Sequence, residues 1–229
     1  MFKFLGRDIS KSELSKAFTL PEFILTMGII GIVASLTYSG LQRHVEEQKS
    51  AVAIKKIYSV LSQVTLYVIK DHDSSIHWGL EGYSHDASEL AFTYYEPYFR
   101  TVRVCSNDPG CWRYPSWYLS GYPYLKETEF YNYMFTLADG MNVIINVYPP
   151  EIVMRDFGVK VDRPTVVFLA DINGDNLPNT MGKDIFAFVL RGDAIVPSGI
   201  DDSYTCNVKS TGLTCTSRVI NDNYEFKYY

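Results

Sequence analysis

Along this chain the spacing of apolar positions changes twice. From Phe18 to Leu41 the sequence reads FTLPEFILTMGIIGIVASLTYSGL, an almost unbroken apolar run whose one charge is Glu22. Coiled as an α-helix at about 1.5 Å per residue, such a run crosses a hydrocarbon layer of about 30 Å, so it predicts a membrane-spanning segment. Beyond Leu41 the chain turns polar through Gln42, Arg43, His44, Glu46, Glu47, Gln48 and Lys49. Apolar residues then recur at Ile54, Ile57, Tyr58, Leu61, Val64 and Val68, the three-and-four spacing of one helical face. No Pro or Gly interrupts Leu41 to Lys70. The two stretches therefore predict one helix, apolar all round in its first half and one-sided in its second.

After Asp71 the period shortens. Gly79, Gly82, Pro97, Pro109, Gly110 and Pro115 punctuate aromatic stretches up to Ser120, which predicts an irregular connection with short helices. Strands are expected at Tyr131 to Leu137, Met141 to Tyr148, Thr165 to Ala170 and Ile185 to Leu190, each rich in β-branched or aromatic residues. Asp139 and Gly140 between the first two mark a hairpin turn with positive φ angles. A last pair is expected around the loop from Cys206 to Cys215, with Thr214 to Ile220 as its return strand. One head of α+β class thus follows one long helix.

Composition narrows the function. A net charge of −5 supplies no basic field for nucleic acid, so none is expected as a partner. Four cysteines permit three connectivities, and the short separations favour Cys105 with Cys111 and Cys206 with Cys215 in an oxidising compartment. Ahead of the apolar run, Lys3, Arg7, Lys11 and Lys16 outweigh Asp8 and Glu13, which holds residues 1–17 in the cytoplasm. No Ala-x-Ala cleavage pattern ends the apolar run; the small residue, Ala17, precedes it. Glu22 is the oddity, because a carboxylate inside a membrane helix costs about 2 to 4 kcal/mol and normally has a partner.

Ala17, Phe18, Thr19, Leu20, Pro21 and Glu22, followed by the apolar run Phe23 to Ala34, resemble the cleavage motif of type IV prepilins and type II secretion pseudopilins. The resemblance implies cutting between Ala17 and Phe18 by a prepilin peptidase and methylation of Phe18. It makes Glu22 the fifth mature residue, paired with the N-terminal amine of a neighbouring subunit in a filament. Two departures stand out: Ala17 replaces the usual Gly, and Ser39 stands where many members have a kinking Pro, which predicts a straighter helix. The implied layout is pilin-like: a leader at 1–17, a transmembrane and filament-core helix at 18–41, its amphipathic half at 42–70, and a periplasmic or extracellular head at 71–229. The implied partners are other pilin subunits and an inner-membrane assembly platform. The implied location is the bacterial inner membrane, then a periplasmic or cell-surface filament. The alternative is a membrane-tethered adhesion or binding protein that never polymerises, using the aromatic residues from Trp112 to Tyr124.

Chemistry in the head is sparse. Asp171, Asn173, Asp175 and Asp184 gather oxygen ligands in one inter-strand loop, a set suited to calcium. The remainder of an EF-hand is missing, since Gly174 comes too early and Gly182 occupies the twelfth position. An Asn-Gly turn with local side-chain bonds is the competing reading. This loop, with Gly-Lys-Asp-Ile-Phe after it, also looks like loops of pilin-like and type II secretion-like proteins. His72 and His77 are spaced wrongly for one helical face, and no GxSxG elbow, phosphate loop or HExxH motif occurs, so no catalytic activity is expected. The residues Trp112, Tyr114, Trp117, Tyr118, Tyr122 and Tyr124 form either an adhesive face or local packing under a disulfide loop.

Overall fold

The computed structural model describes residues 19–82, 84–106, 110–124, 133–202 and 205–228, so Ala17 and Phe18 lie outside the described residues. The chain divides into two compact units, 1–45 and 46–229. One helix, α1 (Leu20–His72), supplies most of the first unit and begins the second.

In the first unit, α1 starts at the glutamate half of a capping box. Thr19 donates its backbone N–H (2.9 Å) and its hydroxyl (2.7 Å) to Glu22 Oε2, and the first helical bond runs from Phe23 N to Thr19 O at 3.0 Å. The Thr-x-x-Glu spacing of residues 19–22 is the sequence signature of this cap. Pro21 sits in the first turn, where its missing N–H leaves no helical bond unmade. Every described side chain from Thr19 to Tyr38 is exposed. Among the described residues, α1 is the one helix long and apolar enough to cross a membrane.

In the second unit, α1 buries the stripe that its spacing predicts: Ile54, Ile57, Leu61, Val64 and Val68. Tyr58, beside the stripe, stacks on Phe188 with ring centroids 5.6 Å apart. A second helix, α2 (His85–Tyr95), is capped by Ser84, whose hydroxyl accepts from Ala87 N, and buries Ala87, Ala91, Phe92 and Tyr95. The hydroxyls of Thr65 and Tyr95 meet at 3.1 Å between the two helices, so these two polar groups are satisfied within the apolar contact.

Both helices share their core with a six-stranded antiparallel meander in the order β1-β2-β3-β4-β5-β6. Its strands are β1 (Thr101–Ser106), β2 (Tyr133–Leu137), β3 (Asn142–Tyr148), β4 (Thr165–Asp171), β5 (Ile185–Arg191) and β6 (Ala194–Pro197). Along β3 to β5, alternate residues enter two different cores. Val143, Ile145, Phe168 and Phe188 join α1 and α2, whereas Ile144, Val167, Leu169 and Val189 join α3 (Pro150–Phe157) and the segment from Cys111 to Tyr124. A sheet covered on both faces needs apolar residues at every position, which is why these strands read as continuous runs.

Three local expectations are corrected. The β2–β3 turn has positive φ only at Gly140, with Gly140 N bonded to Leu137 O at 2.9 Å; Asp139 keeps negative φ and accepts from Met141 N instead. Thr214 to Ile220 is no strand: Cys215–Asn221 forms a helix, α4. Its Thr, Val and Ile suggested a strand, but coiling puts Cys215 and Val219 on one face toward the core, and the Thr216 hydroxyl accepts from the otherwise open Ala187 N of β5. The region before Ser120 contains an edge strand, β1, whose pairing with β2 is bulged twice. Such bulges suit an edge, because they interrupt a ladder to which another chain could add.

Candidate functional site

Two places in the chain gather functional chemistry. At the first, Glu22, the carboxylate is held within its own helix by Thr19, so it already has hydrogen-bond donors without a second subunit. The apolar surface following it has none of its described side chains buried.

The second place lies where β4 ends and β5 begins. Antiparallel pairing sets Asp171 opposite Ile185, which brings Asp184 beside Asp171, and Ile172 N bonds to Asp184 O at 2.9 Å. Both acids are buried, Asp171 completely and Asp184 to 3% exposure. Asp171 Oδ1 accepts from Asn173 N at 3.2 Å, the local bond of an Asx turn. Asp184 is more richly supplied: Asn179 N (2.7 Å) and Asn173 Nδ2 (3.1 Å) donate to Oδ2, and Thr180 N (2.5 Å) donates to Oδ1. The donors of 173–180 therefore converge on Asp184, while Asp171 Oδ2, Asn173 Oδ1 and Asn179 Oδ1 are buried without any hydrogen-bond partner.

Electrostatics follow from that arrangement. Burial, and then the negative Asp184 beside it, push Asp171 up to about 8 from its ordinary 3.8. Burial also raises Asp184, against the opposing hydrogen bonds from Thr180, Asn179 and Asn173. The proton of the pair belongs on Asp171, and the charge on Asp184, where the donors are.

Of the four residues expected at this loop, the structure brings Asp171, Asn173 and Asp184 together and turns Asp175 elsewhere. Asp175 Oδ1 accepts from Asn142 Nδ2 at 3.0 Å, Oδ2 lies 3.7 Å from Arg103 Nη2, and its carbonyl accepts from Arg113 Nη1 at 2.6 Å. Asn179 is the residue that sequence reasoning passed over; it is fully buried with φ of 50°. Its signal was present, since an Asn inside a polar turn tolerates the left-handed conformation better than most residues. Gly174 is required for a different reason: at φ of 63°, a Cβ there would collide with the Gly140 carbonyl of the β2–β3 turn.

Two disulfides, Cys105 to Cys111 and Cys206 to Cys215, close short loops near this end of the sheet. The aromatic segment between them in space is mostly packing. Trp112 is buried with Nε1 donating to Ser116 Oγ at 2.7 Å, Tyr118 tilts against Tyr124, and of the six only Trp117 (36%) and Tyr122 (72%) are exposed. His77 faces Asp73 at 3.0 Å and His72 tilts against Tyr94, so those two histidines have separate partners. Among the described residues, no three His, Cys, Asp or Glu side chains come together as a metal cluster. The β4–β5 site therefore rests on two carboxylates with amide oxygens, a donor set for hard cations rather than transition metals. No protein-family model matches this chain, and no curated protein or solved structure matches it either.

Proposed function

We propose that this chain is a structural filament subunit of the type IV pilin or pseudopilin kind. In this reading it is cut before Phe18, held in the inner membrane by the first half of α1, and then assembled by packing those halves together. The observation that carries the reading is the stretch of α1 from Leu20 to Tyr38, apolar all round and exposed throughout, with a single carboxylate in its first turn. A helix apolar on every side demands an apolar environment on every side. A bilayer supplies one before assembly, and neighbouring helices supply one after. The disulfide-bonded head suits an oxidising compartment beyond that membrane. Most of the aromatic segment packs against the head, with only Trp117 and Tyr122 exposed, so a tethered adhesin is less well supported than the filament.

The capping box sharpens the test of Glu22. Glu22→Gln preserves a side chain that caps Thr19 but removes the charge, whereas Glu22→Ala removes both. Both variants should enter the membrane, because insertion becomes easier when a charge costing about 2 to 4 kcal/mol is removed. Both should lose sheared filaments, because the Phe18 amine would be left without its counter-charge in a low-dielectric bundle. Membrane fractionation and filament recovery in the native host measure the two steps. Wild-type filament yield from Glu22→Gln would reduce Glu22 to a helix cap and sink the charge pairing.

A further inference from the structure

We propose that the head carries a phosphate-binding pocket between the start of β4 and the β5–β6 turn, fitted to a small phosphate monoester with an apolar body. The groups that hold the phosphate are Lys160, Arg163 and Arg191. This site goes beyond the filament reading and does not depend on it.

The first argument is the way the chain builds the pocket. Three stretches distant in sequence enclose a cavity of about 350 Å³, near the lower end of small-ligand sites. They are the connection after α1 at Ser75 and Leu80, the loop 160–164 that leads into Thr165 of β4, and the end of β5 at 190–192. The connection is fastened over the β5–β6 turn. Ser75 Oγ donates to Gly192 O at 2.6 Å, and Ser74 Oγ (3.0 Å) and Ser75 N (2.9 Å) both donate to Asp193 Oδ1. The loop is fastened by Asp201, whose Oδ2 accepts from Lys160 N at 2.7 Å and from Arg191 Nη1 at 3.1 Å. One carboxylate thereby sets the Lys160 backbone and the Arg191 guanidinium side by side.

The second argument is what the three cations have left to offer. Arg163 gives Nε and Nη2 to Asp162, at 3.1 and 2.9 Å, and Arg191 gives Nη1 to Asp201. Anchored along one edge, each guanidinium keeps N–H groups that meet no acceptor among the described residues: Nη1 on Arg163, Nε and Nη2 on Arg191. Asp162, an acid on the same wall, is committed to Arg163. The Lys160 ammonium has no partner among the described residues, so its charge is the surplus once the two Arg–Asp pairs are formed. On a chain of net charge −5, such a gathering of cations is a local feature. Donors from three residues suit a group that presents three acceptor oxygens and nearly two negative charges, which a phosphate monoester does and a carboxylate does not. Leu80, Val161, Pro164 and Leu190 supply apolar wall for the organic body.

The experiment titrates the full chain in detergent micelles with phenyl phosphate, and separately with inorganic phosphate and with benzoate, by calorimetry at about 0.15 M salt. Phenyl phosphate should bind one to one, with a Kd of about 1 mM or tighter. Inorganic phosphate lacks the apolar body, and benzoate lacks the third oxygen and second charge, so each should bind at least about tenfold more weakly. Lys160→Gln and Arg163→Gln should each weaken phenyl phosphate at least about fivefold, as expected of a charge-assisted bond in a partly exposed site. Both side chains face solvent, so neither change threatens the fold. Lys209→Gln removes an exposed charge outside the pocket and should bind as wild type. Absence of phenyl phosphate binding at about 10 mM would overturn the site. Wild-type affinity in both pocket variants, or an equal loss in Lys209→Gln, would overturn the pocket and leave a diffuse charge effect. Benzoate binding as tightly as phenyl phosphate would overturn the phosphate class, and inorganic phosphate binding as tightly would overturn the apolar body.

Discussion

Replacing Asp171 by Asn should stabilise the cation-free protein, and should do so only above the ordinary carboxylate range. In the unfolded chain Asp171 ionises near 3.8, while in the folded protein burial and Asp184 hold it protonated up to about 8. Below pH 3.8 both states carry the proton, so the group costs the fold nothing. Between 3.8 and about 8 the unfolded state loses its proton and the folded state keeps it, so stability falls with each unit of rising pH. Above about 8 both states are ionised and the penalty is complete. A rise of roughly four units at roughly 1.4 kcal/mol each sets a ceiling on the order of 5 kcal/mol, comparable with the whole stability of many domains. Asn keeps an oxygen to accept from Asn173 N and brings an NH2 group to a loop with bare acceptors at Asn173 and Asn179. A net gain of about 2 kcal/mol or more at pH 8 is expected, or about a 1 M higher urea midpoint at ordinary m-values. The assay is urea unfolding of the full chain in micelles with EDTA, followed by tryptophan fluorescence, since all three tryptophans (Trp78, Trp112 and Trp117) lie in the second unit. The quantity of interest is the difference between variant and wild type at pH 4, 6 and 8, which cancels groups common to both. A difference that stays constant across this range, or is largest at pH 4, would refute the assignment of the buried proton to Asp171.

Two further outcomes test the packing that positions this site. Leu61→Ala removes a fully buried side chain from the stripe of α1 and should cost about 2 to 5 kcal/mol, whereas Leu66→Ala, at a position 66% exposed, should fall within about 0.5 kcal/mol of wild type by the same urea assay. Gly174→Ala forces a Cβ onto the Gly140 carbonyl at positive φ and should destabilise by at least about 1 to 3 kcal/mol; an unchanged midpoint would show that the loop does not pack on the β2–β3 turn as described.

Features written in short-range periodicity were legible without coordinates. The apolar run and the following stripe define α1, because helical spacing depends only on residues three and four apart. Strands β2 to β5 announce themselves by β-branched and aromatic residues, and the Asp-Gly pair marks their first hairpin even though its φ angles differ from those expected. The Thr-x-x-Glu cap was equally local and was overshadowed by the charge of Glu22. What tertiary structure decided is whatever depends on a partner distant in sequence. Edge strand β1 draws its pairing from β2 across the intervening chain, and its own exposed residues show no buried alternation. Helix α4 has strand-like residues, yet coiling is what puts Cys215 and Val219 into the core and the Thr216 hydroxyl on Ala187 N of β5. The oxygen cluster shows both halves at once. The Asp and Asn content of the loop was visible, but only the β4–β5 register brings Asp171 to Asp184. Only the long-range grip of Asn142 and Arg113 turns Asp175 away, and only folding buries Asn179 with its oxygen bare. Burial and pairing at a distance leave no period in the sequence, because the contacts that create them are made after the chain has closed on itself.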